Sequence, residues 1–407
     1  MFLQLERGFT SKVGTWELLR RIQNDKADLT CVIAQQNRNQ TEGVEDDVAD
    51  FGRAIGNNTK LRRVELSDYF YDLEEAESWE SLWMKRWRAF FNGGFVKNRS
   101  IEEISLNRIS HENMHGVLGF LGPFLANNPS LRKIHYFSLE EEIDVHEFEL
   151  LAMFLLKRGC PLDVLHLEVG QHDDFGILRA FARAFRGSER VIPKRFHLEF
   201  IYGIGIGVEE MECVAQLLTK SGCTMEELEL PVDDDDDHDE IAELFSSALA
   251  ENKTMRKLDL FFHSSTMTIT GWKEFSSLIC DNSSLNATYG SNHTLSSLGS
   301  GIDEMSCPAP DDLISNLELN ENGNKQFVAR KKVFLVHFLV GNAWFPLIES
   351  MNSTLLVQVV EFMNKIVKEN GDDEDTTRVG KNICNTLLFM LVKSHPTQTN
   401  TAKRRRV

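Results

Sequence analysis

Four groups of residues have the types and spacing that chemistry needs. His111-Glu112-Asn113-Met114-His115 follows H-E-x-x-H. On a helix that spacing puts two imidazoles on one face to hold zinc, with the glutamate as general base of a peptidase. No third histidine stands at the spacing of the longer zinc-peptidase motif, where Leu121 occurs, and Ser110 is placed to cap a helix that starts at His111. Glu112 then sits in a first helical turn, where the helix dipole alone favours a negative charge. Gly203, Gly205 and Gly207 alternate with isoleucine between a strand pattern and a helix pattern, but the third glycine is misplaced for G-x-G-x-x-G and no Lys-Ser or Lys-Thr follows. A strand-to-helix turn accounts for them. Asp233, Asp234, Asp235, Asp236 and Asp237, with Asp239 and Glu240, form the densest charge run. They lack the spaced ligands and glycine turn of a calcium loop. They are expected to extend into solvent, favour a helix N-terminus and offer a dock for a basic partner. The fourth group is His135, His166 and His197, one histidine every 31 residues.

That spacing points to the elements that position the histidines. Turn residues followed by an L-x-x-L-x-L strand recur along the chain, as in NNTKLRRVEL, KNRSIEEISL, NNPSLRKIHY, GCPLDVLHLE, GCTMEELELP, NKTMRKLDLF and NSSLNATYGS. With the fourth position as a marker, the copies centre on Val32, Val64, Ile104, Ile134, Leu165, Phe196, Leu228, Leu258 and Thr288, and the gaps are 32, 40, 30, 31, 31, 32, 30 and 30. A period near 30 means stacked units, each covering its neighbour. Between strands, apolar residues recur at spacings of three and four: Val44, Val48, Phe51 and Ile55; Phe148, Leu151 and Leu155; Ile241, Phe245 and Leu249; Trp272, Phe275 and Ile279. These are helix stripes that pack on the back of a sheet. Asn or Gly ends each helix, and the expectation is a left-handed closing residue. This accounts for the N-x-[ST] sequences, such as Asn98-Arg-Ser and Asn252-Lys-Thr, without glycosylation. Trp79, Trp83 and Trp87, with Phe90, Phe91 and Phe95, fall in the long 40-residue unit and read as a packed helix stripe, or as an aromatic anchor for a partner.

Strand, turn, helix and turn at this period resemble the leucine-rich repeat of the ribonuclease-inhibitor-like subclass, over about two thirds of the chain from Leu29 to Leu298. The segment from Gly271 to Gly299 is similar to the closing repeat of a large group of such proteins in unicellular algae. The resemblance implies an α/β horseshoe with a parallel concave sheet and convex helices. The chain departs from the pattern in two ways: the Asn that usually follows L-x-x-L-x-L is mostly missing, Asn107 excepted, and Pro193 stands where a Leu is expected.

In L-x-x-L-x-L the side chains alternate between faces, so the leucines point to the core and the third and fifth positions face out. The fifth positions read Ile33, Glu65, Ser105, His135, His166, His197, Glu229, Asp259 and Tyr289, and the third positions Cys31, Arg63, Glu103, Lys133, Val164, Arg195, Glu227, Lys257 and Ala287. Neighbouring strands lie about 4.8 Å apart. The three histidines should therefore form a ladder, flanked by Glu168 and Glu199 and followed by Glu227, Glu229 and Asp259. Such a row reads as three ordinary exposed histidines on a solvated sheet or as a pH-sensitive protein-binding strip, because three adjacent imidazoles resist simultaneous charging. A metal strip is weaker, because stacked side chains do not easily make a tetrahedron.

Residues 1–28 read as an N-terminal helical cap, with Thr15 before Trp16, Leu19 and Ile22; residues 29–309 as about nine repeats; 310–393 as a C-terminal helical region; and 394–407 as a disordered basic tail. Helices are expected over Leu313–Asn320, Gln326–Val340, Leu355–Val367 and Val379–Val392, with Ile314-x-x-Leu317-x-Leu319 as an alternative tenth strand. The 407 residues carry 44 basic and 62 acidic side chains, a net charge of −18, which argues against general nucleic-acid binding. No secretory signal and no apolar run long enough to span a bilayer is visible. The seven cysteines have irregular spacing, which reads as reduced thiols in a cytoplasmic or nuclear protein, and Lys403–Arg406 could serve nuclear import. No cofactor or small-molecule ligand is expected. The sequence therefore points to a non-catalytic protein-interaction scaffold with a protein partner, with a regulator of the GTPase-activating leucine-rich-repeat type as the alternative and a zinc peptidase at His111, Glu112 and His115 as a remote one.

Overall fold

The computed structural model describes residues 2–4, 30–35, 44–68, 79–107, 111–137, 145–169, 176–188, 191–200, 205–220, 222–233, 237–262, 267–299, 309–321 and 324–339. Nine strands form a single parallel sheet in sequence order: β1 (Phe2–Gln4), β2 (Thr30–Gln35), β3 (Arg63–Asp68), β4 (Glu103–Asn107), β5 (Lys133–Phe137), β6 (Val164–Val169), β7 (Arg195–Phe200), β8 (Glu227–Val232) and β9 (Lys257–Phe262). The helices that return the chain are α1 (Val44–Asn57), α2 (Trp79–Gly93), α3 (His111–Asn127), α4 (Val145–Arg158), α5 (Gly176–Phe185), α6 (Val208–Leu218), α7 (His238–Leu249) and α8 (Ile269–Ile279). The chain is an α/β solenoid. From β2 to β9 each strand is followed by one helix, yet strands need about 4.8 Å of stack and packed helices about 8–10 Å. The stack must bend, with the sheet on its inner, concave side.

The alternation that the sequence implied is visible in burial. In β4, Ile104 and Leu106 are buried while Glu103, Ser105 and Asn107 are half-exposed, and β7 repeats the pattern with Phe196 and Leu198. The buried faces of the strands and the apolar stripes of the helices make one continuous core from Phe51 to Leu317. Pro193 takes the leading apolar position of its repeat and is buried there. The 40-residue unit carries a short 3-10 turn, Phe95–Lys97, after α2. Trp87, Phe90, Phe91 and Phe95 are buried, with Trp87 stacked on Phe91 at 5.5 Å, so this part of the aromatic stripe is core. The side chains of Trp79 and Trp83 lie outside those described.

The helix ends differ from expectation. Gly159 and Gly187 do adopt positive φ, 72° and 80°. Asn98 does not: its φ is −61° and ψ 136°, ordinary extended backbone. The asparagines serve as cross-links. Asn98 Oδ1 accepts from the N–H groups of Ser100 and Ile101 at 2.7 and 2.9 Å, while Nδ2 donates to Ile55 and Asn58 carbonyls of the preceding unit at 2.7 and 2.8 Å. Asn58, Asn128, Asn252 and Asn292 stand at the same position, are buried, and also fold their turns through Oδ1. Asn252 and Asn292 donate back to Leu218 and Leu249, one unit earlier. A carboxamide can accept and donate at once, so one side chain satisfies its own turn and its neighbour's.

Three local expectations are corrected. The register pairs Cys31 with Val64 and Val32 with Glu65, so β2 is offset by one from the marker at Val32, and Cys31 and Ile33 do not stand in register with Arg63 and Glu65. Thr288 is not a strand residue: Leu285–Gly290 is a helix, α9, capped by Ser284. Tyr289 and Ala287 therefore leave the sheet. The last repeat instead ends at Ser297, which bridges to Lys257, with Leu295 and Leu298 buried. At the N-terminus, Phe2–Gln4 forms a strand on β2 rather than part of a helical cap; Thr15 to Ile22 lie outside the described residues. Beyond the sheet, α10 (Asp311–Glu321) and α11 (Lys325–Val333), the latter continued as a wider helix over Phe334–Leu339, pack on α8 and α9. Ile314 to Leu319 are thus helical, not a tenth strand. Leu355–Val367, Val379–Val392 and the basic tail lie outside the described residues. Among those described, no helix is long and apolar enough to cross a membrane, and no disulfide joins Cys160, Cys213, Cys223 or Cys280.

Candidate functional site

The open face of the sheet is built by register. Glu65, Ser105, His135, His166, His197, Glu229 and Asp259 are successive partners across six strand pairs, so residues some 30 positions apart in the chain become neighbours. The histidine ladder is present. Ring centroids of His135 and His166 are 5.7 Å apart, and those of His166 and His197 5.8 Å, with the rings inclined at 71° and 54°. Glu168 and Glu199 are paired one step further along β6 and β7.

The charges along the face are unevenly distributed. At the β3 end Glu103 lies 3.2 Å from Arg63 and 3.6 Å from Lys133, a compact alternating set. In the middle, His166 Nε2 approaches Glu199 Oε1 at 3.4 Å, and His197 Nδ1 lies 3.2 Å from Glu229 Oε2, with Glu227 3.9 Å from its Nε2. At the β9 end, Lys257 pairs with Asp259 at 3.0 Å and reaches Glu229 at 3.9 Å. Burial, then the neighbouring imidazole and cations, lowers the His197 pKa to about 4, and burial also lowers that of His135. His197 is therefore neutral at pH 7, and burial favours the neutral form of His135 in the same sense. Burial together with Glu199 raises Glu168 above the usual carboxylate range, and burial raises Glu229, which Lys257 partly offsets. Burial works against the Lys257 charge, but the hydrogen bond it donates to Asp259 and the nearby carboxylates hold it up.

The predicted contact residues are not equally open. Glu199 and Glu227 keep 45% and 34% of their side-chain surface, His166 and His197 about a quarter. Asp259 keeps only 4%: it lies beneath the Ser297–Gly299 segment, where a Cβ on Gly299 would come within 2.2 Å of its Oδ1. Asp259 closes the end of the face rather than offering a contact. The sequence did not reveal this, because the strand of the closing repeat was placed at Thr288 rather than at Ser297.

The acidic run is divided in role. Asp237 is the N-cap of α7, accepting from the N–H groups of Asp239 and Glu240. Asp239 reaches the next unit, accepting from Thr268 N and Gly271 N at 3.0 and 3.1 Å and from the Thr268 hydroxyl. His238 Nε2 is 3.0 Å from the Asp233 carbonyl oxygen. Asp234, Asp235 and Asp236 lie outside the described residues. The glycine alternation has a packing reason: Ile206 bridges Val232 beside β8, and a Cβ on Gly205 would fall 1.9 Å from Asp233 N. His111–His115 form the first turn of α3, with Glu112 where the dipole favours it; the side chains of His111, Glu112 and His115 are not among those described.

The fold and its open face define the class, an α/β repeat solenoid with a polar concave surface. No protein-family model matches the chain, and no curated protein is significantly similar to it.

Proposed function

We propose that this chain is a leucine-rich-repeat protein of the ribonuclease-inhibitor-like subclass that acts as a non-catalytic interaction scaffold. The observation that carries this reading is the registered row of outward polar side chains from Glu65 to Glu229, held by a continuous sheet whose other face is core. A curved face built from rigid strands presents its side chains at fixed intervals to an extended partner. The partner is a protein with a basic contact surface. His197 carries no charge at neutral pH and burial disfavours charge on His135, the glutamates outnumber the cations from β6 to β8, and the whole chain carries a net charge of −18. Complementary charge of this kind sets association rate and specificity and weakens as salt rises.

The test is affinity capture from native lysate with the tagged full chain and with a His135→Ala, His166→Ala, His197→Ala variant whose circular dichroism is unchanged. Partners captured by the parent, released by salt and lost in the variant support the reading. The same partners retained by the variant would place recognition away from the histidine strip and overturn it. A repeat in the presence of a chelator separates recognition by side chains from recognition through a bound ion.

A further inference from the structure

We propose that His166, Glu168 and Glu199 form a site for one divalent first-row transition-metal ion on the concave face of the sheet. Among the described residues, these three form the one group of His, Cys, Asp or Glu whose potential ligand atoms, one from each, all lie within 4.8 Å of one another. Their placement follows from register. His166 and Glu168 are two apart on β6 and point to the same side, and Glu199 is the direct partner of Glu168 on β7. The three donors form the corners of a small triangle on one side of an ion, leaving the side toward solvent for water or a fourth ligand, as in metal sites that keep a position open.

This triangle differs from the strip of stacked histidines. Three imidazoles in a line, nearly 6 Å apart, cannot converge on a point. A step along the strand plus a step across it can. An ion binds imidazole nitrogen and carboxylate oxygen at about 2.0–2.2 Å, so the donors must close by an ångström or so, which the side-chain torsions of two partly exposed glutamates supply. The donor set also matches the ion in charge. One neutral imidazole and two carboxylates carry −2, and mixed nitrogen and oxygen donors suit manganese, iron, cobalt or zinc better than calcium or a thiophilic ion.

Two observations make these groups poor at satisfying one another without a cation. Nε2 of His166 has almost no contact with water and no hydrogen-bond partner, although Glu199 Oε1 is 3.4 Å away. Glu168 and Glu199 are like charges in directly paired positions. A bound cation relieves both.

The site is tested on the full chain, stripped with a chelator and titrated with zinc chloride by calorimetry, with metal content measured after gel filtration and cobalt(II) as a visible-spectrum probe of the ligand set. The expected result is one ion per chain, with Glu168→Gln and Glu199→Gln each weakening zinc at least about tenfold, since loss of even an outer-shell partner costs 10–100-fold. His135→Ala leaves affinity unchanged. Glu199 is nearly half exposed, so its variant keeps the question open if His166→Ala fails to fold. Parent protein that takes up no stoichiometric zinc overturns the proposal, as does equal affinity in both glutamine variants. Zinc lost instead in a His111→Ala, His115→Ala variant would move the site to α3 and also overturn it. Partner capture that survives in Glu199→Gln leaves the interaction reading standing whatever the metal does.

Discussion

Asn98 offers the sharpest test of what holds the units together. If its role were the left-handed turn, Asn98→Gly would be neutral or mildly stabilising, because glycine adopts that conformation most readily. The structure gives Asn98 extended backbone and five buried hydrogen bonds: two donated to Ile55 and Asn58, two accepted from the Ser100 and Ile101 N–H groups, and one from the Ser100 hydroxyl. Truncation does not strand all of these partners. The Ile55 carbonyl keeps the Asn58 N–H, and the Asn58 carbonyl keeps the Ser100 hydroxyl. The Ser100 and Ile101 N–H groups lose the acceptor they share. At about 1–3 kcal/mol for each buried orphan, Asn98→Ala should cost roughly 2–6 kcal/mol, and Asn98→Gly at least as much. Asn57, its exposed neighbour in the preceding unit's turn, is the control: Asn57→Ala should fall within about 0.5 kcal/mol of the parent. The assay is urea denaturation with linear extrapolation, supported by hydrogen exchange at Ser100 and Ile101. A cost below about 1 kcal/mol for Asn98→Ala, or a neutral Asn98→Gly, would refute the cross-link argument.

Other outcomes follow from the same structure. Lys332 is buried, donates to the Ile279 carbonyl at 2.8 Å at the end of α8, and has its pKa lowered by burial to about 7, the nearby Cys280 thiol acting in the opposite sense. Between pH 7 and the unfolded value near 10.5 the unfolded chain binds the extra proton, so stability should rise with pH across that window and do so less in Lys332→Met, as read by denaturant midpoints. Gly52 lies where α1 meets α2, and an added Cβ would sit 1.9 Å from the Phe90 carbonyl oxygen, so Gly52→Ala should lower stability by about 1–3 kcal/mol in thermal melts. Asp239→Ala removes the acceptor for Thr268 and Gly271 and should cost about 1 kcal/mol, with faster hydrogen exchange in the first turn of α8 rather than of α7.

Most of the architecture was legible in the sequence. Apolar residues two apart and then three or four apart are local signals, and a shared period repeats them often enough to fix the strand-and-helix unit and the outward set that contains His135, His166 and His197. The misreadings occur where a local pattern has two meanings. In Thr30-Cys31-Val32-Ile33 apolar residues occupy both faces, so only pairing with β3 selects the register. Leu285 and Thr288 are three apart, a spacing shared by the strand motif and a helical turn, and Ser284 caps the helix. The recurring asparagines were visible, but their task depends on carbonyls from the unit before, and neither the partner nor the backbone angle is written in the turn itself.

The sequence by itself determined the repeat, its period and the polarity of the face, because these depend on residues within one unit. The tertiary structure decided which of those polar residues act together. It brought one ligand atom each of His166, Glu168 and Glu199 within 4.8 Å of one another, buried Asp259 under the closing segment, and set Asp239 as an acceptor for Thr268 and Gly271 at the start of the next helix. Each of these depends on strand register or on contact between successive units, interactions across some 30 residues that no local pattern encodes.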